Sequence, residues 1–189
     1  EEFKTLVASD QSKALRHVFF AERAAARVPG IGKDVKARKV EKVAVIGAGT
    51  MGGGISMAFA NAGIAVRVIE TSEDLLAKGL ERIRGTHAAS VKRGSLSEAD
   101  LQKRMALIEG QVGLSAAGEA DMIIEAAFED MGVKREIFGE LARVAKPGAV
   151  IATNTSYLDV NEIASAAPGS PAKSTHISGN ALARRSCFR

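Results

Sequence analysis

The stretch Lys42 to Gly54, K-V-A-V-I-G-A-G-T-M-G-G-G, limits what this chain can fold into more than any other. Val43 to Ile46 form a short apolar run rich in β-branched residues, the pattern of a strand buried on both faces of a parallel sheet. The run ends in Gly47-x-Gly49-x-x-Gly52, the glycine spacing of a dinucleotide-binding turn. In such a turn Gly47 permits the sharp bend, Gly49 lets the backbone approach a pyrophosphate, and Gly52 lets the next helix pack against the strand. That helix is expected to start near Thr50, reach Asn61 and stop at Gly63 in a left-handed cap. Its first-turn N–H groups and positive dipole end would face the diphosphate.

Glycine-rich turns are common, so the context has to decide. A second strand, Ala65 to Ile69, ends in Glu70, 18 residues after Gly52, near the spacing of the acidic residue that accepts from adenosine ribose hydroxyls. The competing reading is a solvated Glu after an unrelated strand. A carboxylate at Glu70 would repel a 2′-phosphate, and no arginine follows in Thr71 to Asp74. NAD is therefore expected over NADP.

Further along, Leu75, Leu76, Leu80 and Ile83 mark a helix reaching about Lys92, and Ser97 opens another carrying Leu101, Met105 and Leu107. The pair forms a helical arm, whose Arg82, Arg84, Lys92 and Arg93 read as a solvated face or as contacts to substrate phosphates. Strands follow at Gln111 to Leu114 and Asp121 to Glu125, then a helix from about Val133 to Ala145, then a strand at Ala149 to Ala152. This alternation predicts an α/β fold, a Rossmann-like doubly wound parallel sheet that binds ligands at the carboxyl ends of its strands. Three strand ends converge there, at Gly47 to Gly52, Ala126 to Glu129 and Thr153 to Ser156. A linker helix precedes it, with Ser9 or Asp10 as N-cap, Leu15, Val18 and Phe19 on one face, and Pro29-Gly30 as the stop. The expected divisions are a connector at 1–39, the nucleotide-binding domain at 40–167 and a C-terminal tail at 168–189.

Composition narrows the partners. The chain has 189 residues, 46% of them hydrophobic, enough for a sizeable core. Net charge is +4, but the charges are interspersed and one Tyr with no Trp offers little for stacking bases, so nucleic acid is not expected. No uninterrupted apolar run reaches the ~18 residues of a membrane span. The single Cys187 makes a reducing compartment the default. No metal site is expected. The first residue is Glu rather than Met, which reads as an excised or incomplete chain.

V-I-G-A-G-T-M-G-G-G-I, I-I-E-A-A-F-E-D-M-G-V-K-R-E-I-F and A-T-N-T-S-Y-L, in order and at compatible spacings, resemble the NAD-binding domain of 3-hydroxyacyl-CoA dehydrogenases of fatty-acid β-oxidation. The resemblance covers roughly Lys42 to Ala167. A-L-R-H-V-F-F-A-E-R-A-A-A, before it, resembles the end of the enoyl-CoA hydratase/isomerase domain of multifunctional fatty-oxidation proteins. It implies NAD as cofactor and an acyl-CoA substrate, with flanking upstream hydratase/isomerase and downstream helical dehydrogenase domains. It also allows a thiolase subunit as partner, in a bacterial cytoplasm or a mitochondrion or peroxisome. By position, Met51 and Glu70 would contact the adenosine half of NAD. Ala127, Phe128, Glu129 and Lys134 would line the nicotinamide-ribose side, and Ser156 would touch nicotinamide and substrate. Without the family, Ser156 is equally a turn residue, and Glu129 and Lys134 equally a helix-start carboxylate and a surface lysine. The family's general base is a His in a segment like H-F-F-S-P, oriented by a downstream Glu. His176 lies 20 residues after Ser156, near the expected place, but Ile177 to Arg189 does not match that segment. This tail reads as a frame error or truncation, and the expectation is a chain that binds NAD without turnover. The alternatives are a non-catalytic NAD-binding module or another β-hydroxyacid dehydrogenase.

Overall fold

The computed structural model describes residues 1–25, 36 and 38–167, and the backbone of 173–176. It separates into two compact units, one before Val40 and one from Val40 onward.

The first unit contains α1 (Glu2–Ala8) and α2 (Asp10–Ala25). One helix starting at Ser9 or Asp10 is expected from the sequence; there are two. Ser9 is extended, with ψ 154°, which breaks the run, and its Oγ accepts from Ser12 N at 3.2 Å and so caps α2. Leu15, Val18 and Phe19 are exposed, as are Phe3, Leu6 and Phe20. The Pro29-Gly30 stop and the rest of the connector after Ala25 fall outside the described residues, apart from Lys36, Arg38 and Lys39.

The second unit is a six-stranded, wholly parallel sheet ordered β3-β2-β1-β4-β5-β6. Its strands are β1 (Lys42–Ile46), β2 (Ala65–Glu70), β3 (Ile108–Val112), β4 (Met122–Glu125), β5 (Val150–Thr153) and β6 (Lys173–His176). The order reverses between β1 and β4, and that switch point opens a crevice at the carboxyl edge. The helices are α3 (Thr50–Asn61), α4 (Glu73–Lys92), α5 (Glu98–Met105), α6 (Met131–Val144) and α7 (Val160–Ser165).

Both faces of the central strands are covered, which explains why β1, β4 and β5 read as largely continuous apolar runs. Val43, Val45, Val66 and Val68 pack with Ile55 and Phe59 of α3 and Leu76 and Ile83 of α4. Ala44, Ile46, Ile123 and Ile151 pack with Phe138 and Leu141 of α6 and Ile163 of α7. Burying a side chain such as Phe59 or Phe138 contributes roughly 1.5–3 kcal/mol.

Two elements depart from expectation. β3 starts at Ile108 rather than Gln111, and Leu114 opens a 3-10 turn instead of closing the strand, because Gly113 turns the chain at φ +91°. β6 has no counterpart in the sequence pattern, since Lys-Ser-Thr-His carries no apolar signal. At the amino edge Asp121 pins the sheet: its carboxylate accepts from Glu41 N at 2.8 Å, Lys42 N at 2.9 Å and Lys146 Nζ at 2.6 Å. The Lys146 hydrogen bond, with those amides, holds its pKa down at about 2.

Candidate cofactor site

The crevice begins where β1 becomes the glycine turn. Gly47 has φ +99°, and a Cβ there would lie 2.7 Å from the Ala126 carbonyl oxygen. At Gly52 a Cβ would lie 1.8 Å from the Gly47 carbonyl oxygen, so α3 approaches β1 only because the position has no side chain. Gly49 is different: a Cβ would meet no protein atom within 4 Å. Its bareness serves nothing in the fold and leaves space above the first turn of α3, where helix N–H groups favour an anion. A diphosphate fits this cradle.

Glu70, ending β2, turns its carboxylate back onto the same turn. Oε1 accepts from Ala48 N at 2.8 Å and Oε2 from Thr71 N at 3.0 Å. Each oxygen keeps a lone pair for a further donor. A cleft of about 740 Å³ runs from here across the switch point, lined by Gly47, Gly49, Glu70, Leu114, Ala127 and Phe128 among others. Met51 is exposed on the first turn of α3 and is not among the lining residues, and Gly52 is buried beneath the turn.

The far end of the carboxyl edge is built from side chains. Lys134, in the first turn of α6, is fully buried, which rules out a surface lysine. Its ammonium lies 2.8 and 2.9 Å from the two carboxylate oxygens of Glu125 and 3.1 Å from Glu129 Oε2. Glu125, at the end of β4, is equally buried and accepts in addition from Thr153 Oγ1 at 2.6 Å and Ala127 N at 2.7 Å. Glu129, about a quarter exposed, accepts through Oε1 from Thr155 Oγ1 at 2.6 Å and from Ser156 N at 2.7 Å. Burial pushes the Glu129 carboxyl up, but the Thr155 hydroxyl, the Ser156 amide and Lys134 outweigh it and hold its pKa below the ordinary value.

Glu129, Lys134 and Ser156 thus converge beside the cleft, and of the residues expected on the nicotinamide side only Ala127 and Phe128 line it. Glu125, Thr153 and Thr155 complete the cluster and were not singled out from sequence. The available signal was a carboxylate closing the apolar run M-I-I-E. His176 ends β6, where it pairs with Thr153, so its backbone lies at the same edge.

Strand order, glycine turn and acidic β2 terminus define a dinucleotide-binding Rossmann domain. A family model, 3-hydroxyacyl-CoA dehydrogenase, NAD binding domain, matches residues 42–176. The chain belongs to that family, and its cofactor is NAD. It is 41% identical to the rice peroxisomal fatty acid beta-oxidation multifunctional protein over 162 residues, 85% of this chain and 22% of that one. It is 37% identical to the fatty acid oxidation complex subunit alpha of Vibrio vulnificus, over 86% of this chain and 23% of the other. The solved 3-hydroxybutyryl-CoA dehydrogenase of Escherichia coli superposes with TM-score 0.70 at 31% identity, over 75% of this chain and 30% of that one. The chain thus spans less than a quarter of the length of these two relatives.

Proposed function

We propose that this chain supplies the NAD-binding half of an enzyme that oxidises L-3-hydroxyacyl-CoA to 3-oxoacyl-CoA. The observation that carries the reading is the convergence of the glycine turn, Glu70, Glu129 and Ser156 on one sheet edge, in a chain of this family. NAD, when bound, would supply the acceptor for the hydride on carbon 3 of the substrate. Gly47, Gly49 and the first turn of α3 would hold the diphosphate, Met51 and Glu70 would contact the adenosine half, and Glu70 would turn away a 2′-phosphate. Ala127, Phe128 and Glu129 would border the nicotinamide ribose. Ser156 would touch nicotinamide and substrate, and the His176 imidazole would take the hydroxyl proton, a task suited to a base with pKa near working pH.

The segment before Val40 is read as a connector from an upstream hydratase/isomerase-like domain. Supporting this, 85% of 189 residues exceeds the 148 from Lys42 to Arg189, so the match to the rice protein extends upstream of the nucleotide-binding domain. The Vibrio relative's name, subunit of a complex, supports a second subunit such as a thiolase as partner.

Titration with NAD and NADP tests the cofactor reading: NAD should bind clearly more tightly, and equal affinity would remove Glu70 from the selection. The reaction is checked by NADH formation from a 3-hydroxyacyl-CoA, with this chain carried in a protein of the relatives' full length. His176→Ala should abolish turnover there. Undiminished turnover would remove His176 as the base.

A further inference from the structure

The buried cluster below the Ala127–Glu129 turn is expensive for what it contributes to folding. The Glu125 carboxylate and the Lys134 ammonium are fully withdrawn from water and Glu129 mostly so, where apolar side chains of similar volume would stabilise the core equally well or better. Its hydrogen bonds are directed elsewhere, to the loops after β4 and β5. Ala126 and Leu158 anchor those loops to the core, but Phe128 and Tyr157 at their tips are 78% and 77% exposed. Between anchor and tip the two loops are joined to each other by polar links.

The links run in one direction. An ammonium has three protons, and Lys134 has three carboxylate oxygens within 3.1 Å, so none is left for a ligand. Lys134 acts beyond the cluster through Glu129, whose other oxygen carries the Thr155 hydroxyl and the Ser156 amide. Glu125 decides where Lys134 sits, since it takes two of the three ammonium contacts and is itself fixed by Thr153 and Ala127. We propose that Glu125 is a positioning residue for the nicotinamide end of the site: through Lys134 it holds Glu129, and through Glu129 it locks Ser156 onto the turn after β4. This rests on the reading that NAD occupies the cleft.

The test compares NAD with ADP, which fills only the adenosine and diphosphate positions. In Glu125→Gln the affinity for NAD should fall at least about tenfold, or about 1.4 kcal/mol, while that for ADP stays within about twofold. Glu125→Gln/Lys134→Met removes both charges and should recover the thermal midpoint without recovering NAD affinity. A purely structural ion pair predicts that both recover, and that result overturns the proposal. Parallel loss of NAD and ADP, or unchanged NAD affinity in folded Glu125→Gln, overturns it too. Should Glu125→Gln fail to fold, Thr153→Val deletes a single hydroxyl donor to Glu125, and the same NAD against ADP comparison decides. A parent chain that binds neither nucleotide overturns the cleft assignment first, a result distinguishable from loss in the variants alone.

Discussion

The two ends of the sheet's carboxyl edge are built by opposite means. At the glycine turn, where the proposal puts adenosine and diphosphate, the functional groups are backbone: a turn, a helix start and the space left by missing side chains, with Glu70 hydrogen-bonded to the amides of Ala48 and Thr71. At the far end, where the proposal puts nicotinamide, they are side chains from β4, α6, β5 and the loops that follow β4 and β5, which meet in a charge cluster. Backbone geometry is cheap to maintain, while a buried charge network is costly to disturb. The contrast teaches where each end can be broken.

The largest effect is expected at Lys134. Lys134→Met leaves Glu125 buried without its cation and should destabilise the fold by about 3–5 kcal/mol, read from urea unfolding. A smaller loss would show that the cluster is less dry than its burial indicates. Next come two glycines of one motif with separable roles. Gly52→Val drives a side chain into the Gly47 carbonyl and should cost about 3 kcal/mol or more of stability. Gly49→Val should leave the unfolding midpoint in place yet weaken NAD at least about 100-fold, since its side chain occupies the diphosphate space. Retained NAD binding by folded Gly49→Val would take the fingerprint out of the site.

Glu70→Gln keeps an acceptor for the turn but drops the charge. It should narrow the preference for NAD over NADP by about tenfold, measured as the ratio of dissociation constants. An unchanged ratio places the selectivity elsewhere. The smallest effect is a pH slope. Because the folded-state pKa of Glu129 lies below its ordinary 4.5, its stabilisation is present above that value and is lost as pH falls through the lowered folded-state pKa. Denaturation curves between neutral pH and pH 3 should show this slope, and Glu129→Gln should reduce it.

Most of the architecture was legible because it is written in local patterns. The β1 run, the glycine spacing, the Glu after β2 and the helix stop at Gly63, whose φ is +79°, all lie within one βαβ unit of neighbouring residues. Where the local pattern is weak, sequence and structure part. β3 starts three residues before its apolar pattern predicts, β6 has a polar sequence, and the break at Ser9 depends on a cap that only geometry reveals.

The sequence by itself determined the doubly wound sheet, the end of each strand that carries the site, and the glycine turn with its acidic β2 terminus, because these depend on hydrophobic period and on the absence of Cβ atoms. Only the tertiary structure decided the charge cluster beyond β4. Glu125, Lys134, Thr153 and Ser156 are separated by up to 31 positions, and nothing local tells a surface lysine from one buried between two carboxylates. That depends on α6 packing over the junction of β4 and β5, where desolvation forces each charge to find its partner.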